Sequence, residues 1–183
     1  MNHSTMRSIS RGVTLCSAVA VCGGVAHGQL AGQSIAELEG VGIEQHLEAL
    51  LPLYATYQDP TGDATTLGAY FDGERPVILT LNYVDCPQMC DLQLSKLTGE
   101  MGQIGLTLGD DYRVVTISID PRDTSEKAAG AEQRYIDDYL LISGEAGIER
   151  SAAAAPGSGW AYLVGTKPEI DRVAEAAGFG YRW

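Results

Sequence analysis

The sequence predicts an α/β domain with a mostly parallel sheet, because three strand-like runs alternate with helical patterns along the chain. The runs at residues 77–83, 114–119 and 160–164 are apolar and rich in β-branched or aromatic side chains, as is typical of strands covered on both faces. Ahead of them, apolar side chains at helical spacing over residues 43–51 predict a short amphipathic turn. Residues 53–57 and 64–67 then flank a Pro/Gly turn and predict a hairpin. The expected order is hairpin, β, α, β, α, β, α.

Each predicted helix carries a start or a stop signal. The first is expected to begin at Pro87, since proline lacks a backbone N–H and an N–H at the first helical position would be unpaired in any case. Its apolar side chains share one stripe, formed by Cys90, Leu94, Leu97, Met101 and Ile104. Asp123 or Thr124 can cap the second helix. The third opens with capping-box spacing at residues 166–169, and Gly178 ends it.

The composition is that of one acidic globular domain. Of 183 residues, 45% are hydrophobic and 20% are charged, which is enough apolar material for a single core. The 24 acidic and 12 basic residues give a formal net charge of −12. Because a nucleic-acid surface needs clustered Lys and Arg, this charge argues against a nucleic-acid partner. We interpret the acidity as a solvated surface that favours solubility.

The N-terminus predicts export to the periplasm or cell envelope. Arg7 and Arg11 precede a small, apolar run, and the first acidic residue is Glu37, a pattern typical of a secretory signal peptide. The run is shorter than the roughly 20 residues that cross a bilayer, so we prefer a signal peptide to its alternative, an N-terminal membrane anchor. We predict a signal peptide over residues 1–28, a flexible lead-in over 29–42 and one domain over 43–183.

Cys86 and Cys90 are the candidate functional cysteines, because Cys16 and Cys22 lie in the predicted signal peptide. Cys86 follows a strand at the C-terminal edge of a parallel sheet, where α/β proteins bind ligands, and it precedes a helix whose N-terminus lowers a thiol pKa. Cys90 lies one turn further on the same side. Such a pair can form a disulfide, since i and i+4 Cα atoms lie roughly 6 Å apart. It can also bind one soft metal ion such as Cu(I), whereas zinc would need four ligands. A purely structural disulfide is the simpler alternative.

Residues 77–90 (VILTLNYVDCPQMC) and 114–124 (VVTISIDPRDT) together resemble the Sco/SenC family of thioredoxin-fold proteins, which are linked to assembly of the copper centre of cytochrome c oxidase. The family pattern is an apolar strand, C-P-x-x-C and a later strand ending in S-x-D-P-x-x-D-T. The similarity extends over roughly residues 41–183. The resemblance implies a thioredoxin-like fold in which Cys86 and Cys90 bind copper and can form a disulfide.

The chain departs from the family pattern in its histidines. Family members bind copper with a third ligand, a His on a loop after the last helix predicted here, whereas this chain has only His3, His27 and His46. The first two lie in the signal peptide and His46 precedes the hairpin, so none matches the family position. Because the sequence ends at Trp183, where the His-bearing segment should begin, we expect the last strands and helix of the fold to be missing and an apolar sheet edge to be exposed. A smaller departure is Asp91, which stands where many members have Pro.

The resemblance implies a copper-binding assembly factor that passes the metal by ligand exchange to the copper-centre subunit of cytochrome c oxidase, or to another thiol or copper partner. The alternative is a thiol-disulfide oxidoreductase of the cell envelope, in which Cys86 attacks a target disulfide and Cys90 resolves the mixed disulfide. The Cys-x-x-x-Cys spacing, wider than Cys-x-x-C, favours metal binding, so we expect a metallochaperone rather than an enzyme.

The neighbouring residues are given modest roles. Asp120, Pro121 and Asp123 can either shape the loop beside the thiols or cap the next helix, and we expect the cap. Met89, between the cysteines, is expected to pack rather than to bind copper. His46 is expected to be a surface or packing residue rather than a ligand.

Overall fold

The computed structural model describes residues 39–86, 88–144 and 159–182. The predicted signal peptide and most of the lead-in lie outside the described residues, as do Pro87 and the small-residue segment 145–158. In chain order the elements are β1 (Gly42–Ile43), β2 (Thr56–Gln58), β3 (Ala64–Thr66), β4 (Val77–Asn82), α1 (Met89–Met101), β5 (Arg113–Ser118), α2 (Ser125–Ser143), β6 (Trp160–Leu163), α3 (Lys167–Ala176) and β7 (Phe179–Gly180).

The central sheet confirms the predicted α/β fold. Its three strands are parallel and lie in the order β4, β5, β6, with Val77 opposite Arg113 and Val114 opposite Trp160. Helices α1 and α2 lie in the two connections, as parallel neighbours require. Within the part of the chain that the structure describes, β4 pairs only with β5, and its apolar side chains are half-buried.

The core has two halves, one on each face of the sheet. On one face, Val114 and Trp160 pack with residues of α1 and α2 such as Leu94 and Tyr135. On the other face, Val115 and its neighbours pack against α3 and the segment around the hairpin. Because both faces are covered, β5 and β6 are buried at every position, which explains why their sequences are mostly apolar.

The second edge of the sheet, at β6, is closed by two polar contacts. Val164 and Gln58 exchange backbone hydrogen bonds, which joins the hairpin strand β2 to the end of β6. The backbone N–H of Tyr162 donates to the Glu132 carboxylate on α2 at 2.7 Å. The residues of β6 are therefore fully buried, although the strand lies at the edge of the sheet.

The N-terminal region contains one prediction that is confirmed and one that is wrong. The hairpin is present, since β2 and β3 pair antiparallel. Residues 43–51, whose apolar spacing predicts a turn of helix, instead begin in β1, which pairs antiparallel with β7, and Leu47 and Leu50 are exposed. The pairing uses the backbone of two-residue strands, so side-chain periodicity carries no signal for it.

Gly178 makes the β1–β7 pairing possible. It ends α3 with a φ of +69°, a conformation that favours glycine, and a Cβ at this position would lie 1.8 Å from the Glu44 carbonyl oxygen. The Glu44 N–H donates to the Gly178 carbonyl at 2.8 Å, so the two backbones lie in direct contact.

Across the residues that the structure describes, the helices are too short or too polar to span a bilayer.

Candidate functional site

The two candidate cysteines lie where the sequence places them, between the first sheet strand and the following helix. Strand β4 ends at Asn82, a three-residue loop leads to Cys86, and α1 begins at Met89 with Cys90 in its first turn. The helix was predicted to begin at Pro87, which lies outside the described residues. Both thiols are free and half-buried in this structure. They therefore lie at the C-terminal edge of the parallel sheet, where ligand sites of α/β folds gather.

Cys86 has the environment of a readily ionised thiol. Hydrogen bonds from the backbone N–H groups of Cys90 and Gln88, followed by one from the Cys90 thiol, lower the pKa of Cys86 below its usual range. Burial opposes this shift only weakly, because the sulfur lies near solvent. The N-terminus of α1 thus stabilises the Cys86 thiolate, as the sequence predicts.

Cys90 has the opposite character. Burial is the main cause that raises its pKa, and the neighbouring Cys86 raises it further. Hydrogen bonds from the Tyr83 backbone N–H and from the Asn82 side chain oppose the shift without reversing it. Cys86 therefore ionises first, and Cys90 remains the proton donor in the hydrogen bond between the two sulfurs.

Cys86 lines two open clefts. The larger has a volume of about 480 Å³ and is lined by Tyr83, Asp85, Cys86, Asp120, Arg122, Asp123 and Lys127. The other has about 430 Å³ and is lined by Val84, Asp85, Cys86, Asp91 and Arg134. A slightly larger hollow of about 510 Å³ lies between the β1–β7 pair and α3 and contains neither cysteine. The chemistry of the thiols, rather than cavity size, identifies the functional end of the sheet.

The basic side chains around Cys86 are each paired with an acidic neighbour. The pairs are Lys127 with Asp85, Arg122 with Asp120 at 2.7 Å and Arg134 with Asp91 at 3.1 Å. Because these charges neutralise each other locally, the clefts carry no uncompensated basic patch. The backbone N–H groups of α1, rather than side-chain cations, therefore dominate the electrostatics of Cys86.

Asp123 has a role that differs from the helix cap expected from the sequence. Thr124 is the N-cap of α2, and its hydroxyl accepts from the Lys127 N–H at 3.4 Å. The Asp123 carboxylate instead accepts hydrogen bonds from the Val84 N–H at 3.1 Å and from the Ser118 hydroxyl at 2.6 Å. The expected cap is thus wrong for Asp123, which connects the end of β5 to the loop that carries Cys86. The Asp120 carboxylate accepts hydrogen bonds from the Arg122 side chain.

The other sequence candidates lie apart from the thiols or point into solvent. The Nε2 atom of His46 lies 3.7 Å from the Glu44 carboxylate, and the His46 ring lies against Gly178, beside the β1–β7 pair. Met89 is 72% exposed, so the expected packing role is wrong. Among the described residues, no group of three or more His, Cys, Asp or Glu side chains is arranged to hold a metal ion.

Three features of the site have no clear signal in the sequence. They are the Asn82 and Tyr83 contacts to Cys90, the Asp85–Lys127 pair and the Asp91–Arg134 pair. The two ion pairs join residues more than 40 positions apart, which the topology brings together at one edge of the sheet. Only the position of Asp85 and Asp91 next to the cysteines could have indicated them.

The comparison with known families gives one match. A family described as SCO1/SenC matches residues 58–179, which is most of the described domain and includes both cysteines. No curated protein sequence matches the chain.

Three solved structures match the chain at low identity. A candidate electron transport protein from Aquifex aeolicus VF5 is 24% identical, with 75% of each chain covered and a TM-score of 0.56. Arabidopsis thaliana ScoI, solved with copper bound, is 23% identical, with 67% of this chain and 62% of that chain covered and a TM-score of 0.47. Bradyrhizobium japonicum ScoI, also solved with copper bound, is 21% identical over 67% of this chain and 63% of that chain, with a TM-score of 0.43.

Proposed function

The chain belongs to the SCO1/SenC family of thioredoxin-fold proteins, and from this membership we propose that it binds copper through Cys86 and Cys90 and hands the metal to a partner. The observation that carries the proposal is the thiol pair itself. Two free sulfurs, one in the loop before α1 and one in its first turn, are joined by a hydrogen bond at the C-terminal edge of the sheet.

The chemistry of these donors suits a soft ion. Thiolates prefer Cu(I), which accepts two ligands in a linear arrangement, whereas Cu(II) prefers a larger set of nitrogen and oxygen ligands. Cu(I) binding would release the protons of both thiols, and the lowered pKa of Cys86 makes the first release easy. Because the described residues hold no third His, Cys, Asp or Glu arranged with the pair, we propose that Cu(I) is the preferred cargo.

The exposure of the site supports transfer by ligand exchange. Cys86 lines two open clefts, so a thiol or thioether of a partner can approach the metal without unfolding the loop. We propose the copper-centre subunit of cytochrome c oxidase as the recipient, on the basis of the family. The basic N-terminus and its apolar run support export to the periplasm or cell envelope, with membrane attachment at the N-terminus as a further option.

The test is a Cu(I) titration of the reduced full chain in competition with a chromogenic Cu(I) chelator. We expect one Cu(I) per chain, with uptake lost in Cys86→Ser and in Cys90→Ser. The matched control is the double variant Cys16→Ser, Cys22→Ser, which removes the other two thiols and should bind as the wild type does. Absence of uptake that depends on Cys86 and Cys90 at sub-micromolar free Cu(I) would rule out the proposal.

A thiol-disulfide oxidoreductase is the second candidate, and the opposite pKa directions of the two thiols favour it. The Cys86 thiolate would attack a target disulfide and form a mixed disulfide. Cys90 would then resolve it, leaving a Cys86–Cys90 disulfide and a target dithiol. An insulin-reduction assay with dithiothreitol as the terminal reductant separates the candidates, since the copper proposal requires no turnover in it.

A further inference from the structure

We propose that Asp123 is the positioning residue of the thiol site, because it anchors the loop between β4 and Cys86 and thereby holds the Cys86 sulfur over the N-terminus of α1. The inference rests on the proposed role of the thiol pair, and it applies equally to copper binding and to thiol-disulfide exchange. Among the described residues, the Asp123 carboxylate accepts from Val84 and Ser118 rather than from a thiol, so it acts through the loop and not on the reacting atoms.

The anchor itself is a double hydrogen bond on one carboxylate oxygen. Oδ2 of Asp123 accepts the Val84 backbone N–H at 3.1 Å and the Ser118 hydroxyl at 2.6 Å. Ser118 is fully buried at the end of β5, so the carboxylate is fixed to the centre of the sheet. Hydrogen bonds to an ionised carboxylate are shorter and stronger than neutral ones. The contact therefore fixes Val84, two residues before Cys86, relative to the end of β5.

The loop is held at two successive backbone N–H groups. The Tyr83 N–H bonds to the Cys90 sulfur, and the next one along the chain, at Val84, bonds to Asp123. The first contact ties the loop to α1, and the second ties it to the junction of β5 and α2. Because the N–H groups of both Tyr83 and Val84 are fixed, the backbone that leads to Cys86 can change its direction very little.

A second tie crosses the same gap but is weaker. Lys127 in the first turn of α2 pairs with Asp85, and both side chains are about half exposed or more. Exposed ion pairs of this kind are screened by water and contribute little. Asp123 is shielded from solvent in comparison, since its contacts to Val84 and Ser118 are partly buried. The structure thus assigns the positioning role to Asp123 and only a minor one to Lys127.

The experiment compares Asp123→Ala with the wild-type full chain in the absence of copper. We expect the Val84 amide to lose protection from hydrogen exchange and the rate constant for alkylation of Cys86 by iodoacetamide at pH 7 to fall roughly three- to tenfold, because a mobile sulfur contacts the helix N–H groups for less of the time. Peptide mapping resolves Cys86 from the other cysteines. An unchanged alkylation rate in a folded Asp123→Ala protein would overturn the inference.

Further variants separate positioning from general stability. Asp123→Asn keeps an acceptor oxygen without the charge, so its Cys86 rate should lie between those of the wild type and Asp123→Ala. If the alanine variant does not fold, an Asp123→Asn rate equal to that of the wild type overturns the inference instead. Asp110→Ala is the matched control, since Asp110 is exposed and distant in sequence from the loop. Because no copper is present, these results stand or fall separately from the Cu(I) titration.

Discussion

Cys86 and Glu132 are both acids that accept hydrogen bonds from backbone N–H groups, yet their pKa values move in opposite directions. At the thiol end of the sheet, several donors at the start of α1 surround a sulfur near solvent and lower the pKa of Cys86. At the β6 edge, Glu132 is 3% exposed and accepts from the Tyr162 N–H. Burial there, together with a smaller contribution from nearby Asp59, raises the pKa of Glu132 to about 8.

The difference shows what a backbone N–H can and cannot do for a charge. One N–H lowers the pKa of Glu132 but does not compensate for removing the carboxylate from water. Several N–H groups at a helix terminus do stabilise the thiolate, because its own desolvation is small. The thiol end of the sheet is thus suited to holding a charged sulfur for chemistry. The β6 edge is suited to closing the sheet with a neutral carboxylic acid.

The largest expected effect concerns Glu132 and the stability of the whole domain. Its folded pKa of about 8 lies above the ordinary value of 4.5, so the folded state binds the extra proton between these limits. The free energy of unfolding should therefore fall as the pH rises from about 4.5 to 8, by up to about 1.4 kcal/mol per pH unit. Glu132→Gln should remove this slope in urea melts at a series of pH values.

The control for Glu132 is Glu126→Gln, which changes an exposed carboxyl on the same helix. It should keep the wild-type slope. If Glu132→Gln retained the same pH dependence as the wild type, the buried carboxyl would not be the titrating group.

A smaller effect separates the two cysteines within the thiol region. At pH 7 the wild-type protein should react with iodoacetamide at Cys86 roughly tenfold faster than at Cys90, because Cys86 carries more thiolate and is less buried. Quenched labelling followed by peptide mapping measures both rates in one sample. Equal rates would remove the contrast between the two thiols on which the resolving role of Cys90 depends.

The smallest effect tests whether side-chain cations contribute to the thiol region. Lys127→Gln breaks the exposed pair with Asp85 but leaves every N–H donor of Cys86 in place. The Cys86 alkylation rate should change about twofold or less. Lys96→Gln, an exposed lysine on α1, is the matched control. If the Cys86 alkylation rate of Lys127→Gln fell as much as that expected for Asp123→Ala, the Lys127–Asp85 pair would have to be assigned a positioning role.

The sheet and the thiol positions could be predicted because their signals are local. Strands at residues 77–83, 114–119 and 160–164 were recognised from runs of buried apolar side chains, and they agree with β4, β5 and β6 to within one residue at each end. The positions of Cys86 and Cys90 could be predicted because the sequence marks one junction between a strand and a helix, and both cysteines lie at that junction.

Contacts set by the tertiary fold could not be predicted in the same way. Asp123 stands at a helix start, where an Asp usually caps, but the proximity of Val84 and Ser118 gives its carboxylate stronger partners. Glu169 has capping-box spacing from Thr166, yet Thr166 makes no side-chain cap and the Glu169 carboxylate contacts the Thr56 N–H at 3.3 Å. In each case a partner distant in sequence outweighs the local pattern.

The placement of both sulfurs at the start of α1 also has an entropic consequence. A metal ion or a carbon electrophile that bridges Cys86 and Cys90 meets one donor in the first turn of α1 and one in the loop before it. Hydrogen bonds from the helix N-terminus and from the Cys90 thiol already hold the Cys86 sulfur in place. Little chain freedom is lost on binding, so the site is preorganised in the way that rigidified ligands and loops are. The remaining cost is the removal of the proton on Cys90, and the affinity of the site for a bridging ion should therefore be controlled by acidity rather than by ordering of the chain.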